Sequence, residues 1–114
     1  MAREDIINEE IMAALRRLGG ESLVREMIGI FLDFVPKKMD QVRAGEASSS
    51  LLEIEKGAHA IKSSAANVGA TRLRQLAEQV EVTARLQSPE PIPGLLEALQ
   101  CEFDRVCETL RARR

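Results

Sequence analysis

Apolar residues recur at helical spacing along almost the whole chain, and nowhere do they alternate as a half-buried strand requires. Ile7, Ile11, Ala14, Leu15 and Leu18 form a first stripe, which Gly19-Gly20 ends. A second helix begins near Glu21 and carries Val24, Met27, Ile28, Phe31, Leu32 and Val35 on one side. Pro36 lacks an N–H and crowds the preceding turn, so the spacing predicts a kink or break there. Met39 and Val42 then continue the stripe to Gly45. Ser48, Ser49 and Ser50 are N-cap candidates for a third helix, and Ser50 with Glu53 has the spacing of a capping box. That helix reaches about Asn67, with Gly69 as its stop. Thr71 is the expected cap of a fourth helix bearing Leu73, Leu76, Ala77, Val80 and Ala84. The prolines between Ser88 and Gly94 mark a connector. A last helix, from about Gly94 to Arg111, carries Leu95, Leu96, Leu99, Phe103, Val106 and Leu110.

Helical segments with one apolar stripe each and short connectors predict an all-α fold, an antiparallel four-helix bundle with an additional short N-terminal helix over one end. The 114 residues suit a single domain spanning 1–114. A hydrophobic fraction of 45% excludes a disordered tail. No apolar run approaches the roughly 20 residues of a membrane span. The acidic start MAREDIINEE has no apolar signal core, which points to the cytoplasm. A net charge of −2 with scattered Lys and Arg disfavours nucleic acid as a partner. Aromatic residues make up 3%, with no Trp or Tyr, so a base-stacking platform is missing too. Cys101 and Cys107 lie nearly two helical turns apart, too far to bridge, and read as buried or half-buried thiols of a reducing compartment. Without CxxC or HxxxH spacing no metal site is expected. The terminal Arg-Ala-Arg-Arg puts positive charge where a helix C-terminus favours it.

The third helix carries the one histidine of the chain. At about 100° per residue, Ile54, Ala58, Ile61, Ala65 and Val68 fall on one arc and face the core. His59, Ser63 and Ala66 share a different arc, with Lys62 at the boundary, so the ring is expected to be at least partly exposed. Lys62 at i+3 and Ser63 at i+4 neighbour the imidazole on the helix surface. Ser63 and Ala66 are small and leave the ring open to a flat partner. An exposed imidazole beside an ammonium can act as a nucleophile toward a phosphoryl group while the cation balances the phosphoryl oxygens.

The run His59-Ala-Ile-Lys62-Ser-Ser-Ala-Ala-Asn67-Val-Gly69-Ala-Thr-Arg-Leu73 resembles the signature of histidine-containing phosphotransfer (HPt) domains, His-x-Leu-Lys-Gly/Ser-Ser-Ala/Ser-x-Asn-Leu/Val-Gly-Ala. The resemblance extends over the chain length, the helix count, the Phe-Leu-x-x-x-Pro pattern from Phe31 to Pro36, and Val80-Glu81 on the next helix. Ser63 stands where many members have Gly, and Ile61 where Leu is usual. The family often places a Gln on the next helix near the phosphorylated ring. Gln79 and Glu81 are the candidates here. If the chain reverses near Gly69-Ala70, residues about ten before and ten after the turn meet, which favours Glu81. The same residue can equally pair with Arg85 or Arg74 as an ordinary helix charge.

The resemblance implies a phosphorelay intermediate, a phosphocarrier and not a free-standing kinase. His59 would take a phosphoryl group from a receiver-domain aspartate, or from a hybrid sensor histidine kinase, and pass it to a response-regulator aspartate. Lys62 would compensate charge, Ser63 and Ala66 would keep access open, and Glu81 or Gln79 would orient the ring. Receiver domains are then the partners of a monomeric chain, and any Mg²⁺ sits in the receiver, with no cofactor bound here. Three other readings compete. The dimerisation helices of a histidine kinase carry a His-Glu-x-Arg/Lys-x-Pro phosphoacceptor motif, whereas Ala60 follows His59. A detached phosphotransfer module of a chemotaxis-type kinase would share the fold. A non-catalytic helical adaptor would need neither His59 nor Lys62.

Overall fold

The computed structural model describes residues 6–113, all helix and connecting turns, with no strand among the described residues. Its helices are α1 (Glu9–Ala47), α2 (Leu51–Val68), α3 (Thr71–Arg85) and α4 (Ile92–Arg113). α1 packs on α2 and α4, α2 on α3, and α3 on α4. Ile28, Phe31, Val35, Ile61, Ala65, Leu73, Leu99 and Leu110 are among the side chains that fill the centre. The rings of Phe31 and Phe103 tie α1 to α4, with centroids 6.4 Å apart.

The expected break at Gly19-Gly20 is present as non-helical dihedrals at those two residues, inside what is otherwise one 39-residue element. Gly20 sits at φ 71°, a conformation that costs little without a Cβ. Asn8 caps the start of α1, accepting a hydrogen bond from Glu10 N–H at 2.9 Å. Two expectations for this element need correction. Leu18 does not join the core but stands 80% exposed, while Ile7, just before the helix, and Met12 are the buried side chains of this stretch. Ile7 lies in a bend before the helix, so it does not continue the helical stripe that follows. Nor does Pro36 break the helix, since the departures from helical dihedrals fall only at Gly19 and Gly20.

The remaining boundaries shift for local reasons. Ser50 caps α2 through Glu53 N–H. The reciprocal half of the capping box is absent, because Ser50 N–H donates to Gly45 O and Glu53 Oε1 accepts from Gln41. Thr71 is not the cap of α3. Ala70 takes that position with no side-chain bond, and Thr71 is already inside the helix. α4 begins at Ile92, ahead of the expected Gly94, because proline is tolerated in a first helical turn and Ile92 is buried. Cys107 is buried, but Cys101 is exposed, contrary to the expectation for both. Arg113 Nη1 donates to Glu9 Oε1 at 3.0 Å, joining the end of the chain to the start of α1. Arg114 lies outside the described residues.

Candidate functional site

Two glycines place the histidine. At Gly57, a Cβ would lie 2.6 Å from Val42 Cγ2 and 3.2 Å from Lys38 O, so the missing side chain is what lets α2 approach α1 this closely. Two residues later His59 emerges on the other side of α2, its side chain 62% exposed. Beyond it, Gly69 adopts φ 75° and closes α2, with Gly69 N–H and Ala70 N–H donating to Ala66 O and Ala65 O. This left-handed stop reverses the chain into α3 and sets the pairing of the two helices. His59 therefore meets Glu81, and Glu55 meets Arg85.

The core arc of α2 is as the projection requires, with Ile54, Ala58, Ile61, Ala65 and Val68 buried. Ser63 and Ala66 are exposed beside the histidine, and Lys62 sits between, 26% exposed. Of the two α3 candidates, Glu81 reaches the ring, whereas Gln79 is exposed and lines a different surface with Glu78, Val82 and Leu95. His59 Nδ1 lies 2.7 Å from Glu81 Oε2, and Lys62 Nζ lies 2.6 Å from Glu81 Oε1. Arg85 Nη2 donates to the same Oε2 at 2.8 Å, and its Nε donates to Glu55 Oε2 at 2.9 Å. Glu81 thus contacts the histidine and the Arg85 guanidinium through the same oxygen.

The Glu81 side chain is only 3% exposed. Burial alone would raise its carboxyl pKa. The contacts with Lys62 and His59 outweigh that and hold it below the ordinary carboxylate range. Glu81 is thus an anion that can only accept hydrogen bonds. A proton on the imidazole nitrogen facing it belongs to Nδ1, and a neutral ring then carries its lone pair on Nε2. Glu55 was missed in the sequence and Arg85 entered only as a pairing partner. The signal was available, since the register that brings 59 to 81 also brings 55 to 85. Among the described residues no cluster of His, Cys, Asp or Glu is arranged to hold a metal ion.

The buried carboxylate, the exposed imidazole and the lysine one turn away all lie within the stretch that a family model matches. The chain belongs to the Hpt domain family, whose match runs over residues 26–112. The fold is similar to that of histidine-containing phosphotransfer protein B (HptB) from Pseudomonas aeruginosa PAO1, with a TM-score of 0.88 at 19% identity, covering 94% of this chain and 92% of that one. No curated protein matches the chain significantly by sequence.

Proposed function

We propose that His59 is the phosphoacceptor of this Hpt domain, through which it carries phosphoryl groups between receiver domains of a phosphorelay. The observation that carries the reading is the 2.7 Å contact between Nδ1 and the buried anion Glu81, which directs the lone pair to Nε2 of an exposed ring. In the forward step Nε2 attacks the phosphorus of an aspartyl phosphate. The N–P bond forms as the bond from phosphorus to the aspartate oxygen breaks, and the receiver carboxylate leaves with the electron pair. Positive charge developing on the ring is met by Glu81 through Nδ1–H. Lys62 forms an ion pair with Glu81 Oε1, and the N–H groups of its ammonium are donors for phosphoryl oxygens. Transfer onward reverses the same bonds.

The docking face in this reading is the exposed surface around His59, with Ser63 and Ala66 on α2 and neighbouring residues of α1. The exposed apolar side chains Ile30 and Phe34 of α1 suit a protein partner, and Ile30 lies beside Ser64 and Asn67 of α2. We assign any Mg²⁺ of the reaction to the receiver. We read the fold as one domain, an antiparallel four-helix bundle to which the stretch before Gly19 adds a short end helix. The cyclic packing order of the four helices supports this. No helix among the described residues is long and apolar enough to cross a membrane, and we place the chain in the cytoplasm as a monomeric carrier without kinase activity of its own.

The test is phosphorylation by a phosphorylated receiver domain, followed by acid and base treatment of the label. Because the chain holds one histidine, wild-type label should be acid-labile and base-stable, and His59→Gln should take up none. Acid-labile label on His59→Gln overturns the assignment, as does a wild-type chain that binds a receiver but is never labelled.

A further inference from the structure

Arg85 and Glu55 take no part in the transfer step, yet both end on its machinery. Glu55 lies one helical turn before His59 on α2, and Arg85 one turn after Glu81 on α3. The guanidinium is rigid and planar, so holding one of its nitrogens aims the others. Glu55 Oε2 takes Nε at 2.9 Å, and this points Nη2 at Glu81 Oε2, 2.8 Å away. That oxygen is the one bonded to His59 Nδ1, while Lys62 occupies Oε1. With a cation on each oxygen, the buried carboxylate cannot turn away from the ring without breaking an ion pair. The four side chains also sum to zero charge, two cations against two anions. Without Arg85, Glu55 would lose its ion-pair partner in the groove that Leu52, Lys56 and His59 line with them.

We infer that Arg85, held by Glu55, is a positioning residue that keeps Glu81 Oε2 on His59 Nδ1 and so keeps the imidazole lone pair on Nε2. The inference rests on the reading of His59 as phosphoacceptor for its consequence, but its direct readout does not. The plainer alternative is that the Glu55–Arg85–Glu81 chain only staples α2 to α3, in which case its loss lowers stability and leaves the ring unchanged.

The experiment is nitrogen NMR of the full chain labelled with ¹⁵N-histidine, at a pH where the imidazole is neutral, alongside transfer rates from a phosphorylated receiver. One histidine means one pair of ring signals, free of overlap. Wild type should show the Nδ1–H form, and Glu81→Ala should shift it to the averaged mixture of a free ring. Arg85→Ala should move the signals the same way and slow transfer roughly tenfold, the worth of one charge-assisted hydrogen bond. Glu55→Ala should shift both readouts less. Arg85→Lys, which keeps the charge without the fork, should follow Arg85→Ala in its ring signals. Wild-type ring signals in both Arg85→Ala and Glu55→Ala overturn the inference, whatever their melting temperatures, and Glu55→Ala decides alone if Arg85→Ala does not fold. Unchanged signals in Glu81→Ala overturn it too. Failure of the phosphoacceptor reading would appear separately, as acid-labile label on His59→Gln.

Discussion

Lys62 has a divided task at the level of single residues. Its ammonium is paired with Glu81, yet it also lies one turn from His59, the proposed phosphoacceptor. Charge on a transferring phosphoryl group is redistributed most in the transition state, where a nearby ammonium matters more than in the encounter complex. Lys62→Ala should therefore slow transfer by about tenfold or more, the scale of one charge-assisted contact, with receiver affinity changed far less. Rapid-quench transfer set beside a binding titration separates the two, and transfer within about twofold of wild type would sink the role. Glu81 gives a pH signature. Its pKa is lowered on folding, so ionised Glu81 adds stability above the unfolded pKa, and that contribution is lost as pH falls through the folded one. The stability advantage of wild type over Glu81→Gln should be full at neutral pH and shrink below about pH 4, where unperturbed carboxylates protonate. Urea midpoints across that range provide the check, and a pH-independent difference would contradict the assignment.

The rotation of α2 is the decisive feature among the elements. Ala65 is fully buried and Ala66 is exposed, though they are neighbours in sequence. Ala65→Trp should overpack the centre and destabilise by roughly 1–3 kcal/mol or more. Ala66→Trp should melt like wild type but block receiver binding and transfer, because bulk there holds the partner's aspartate away from the ring. Thermal melts together with a transfer assay test the pair, and the reverse pattern would refute the placement of His59. This rotation was legible in the sequence because α2 has a clean 3.6-residue stripe between two clear stops. The α2–α3 register was legible for the same reason, since Gly69 marks the reversal. The depth of Glu81 was not. Burial of a carboxylate depends on Lys62, His59 and Arg85 arriving from both helices at once, which no single periodicity encodes. The first stretch of α1 was less legible, because Ile7 is apolar and buried yet lies before the helix.

For the molecule as a whole, the segment before Gly19 and the face that carries His59 are separable. This segment lies outside residues 26–112, which match the family, yet it is bonded into the fold. Asn8 N–H donates to Gly69 O at 2.8 Å, so it touches the very turn that sets the α2–α3 register. Ile7 and Met12 are fully buried, and Arg113 of α4 reaches Glu9. Each buried side chain of this size contributes about 1.5–3 kcal/mol, so a chain beginning at Glu21 should lose roughly 3–6 kcal/mol. That is a large part of the 5–15 kcal/mol typical of a domain, and the melting temperature should fall by many degrees. The ring and its partners all lie on α2 and α3, with His59 in the middle of α2 and Gly69 beyond its end. At a temperature where the shortened chain remains folded, its transfer rate should stay within about threefold of the full chain, less than one charge-assisted bond is worth. Melting curves and transfer assays on the two lengths read these effects independently. An unchanged melting temperature would remove the structural role of the segment. A collapse of transfer in a folded shortened chain would show instead that its grip on Gly69 holds the register on which the His59–Glu81 pair depends.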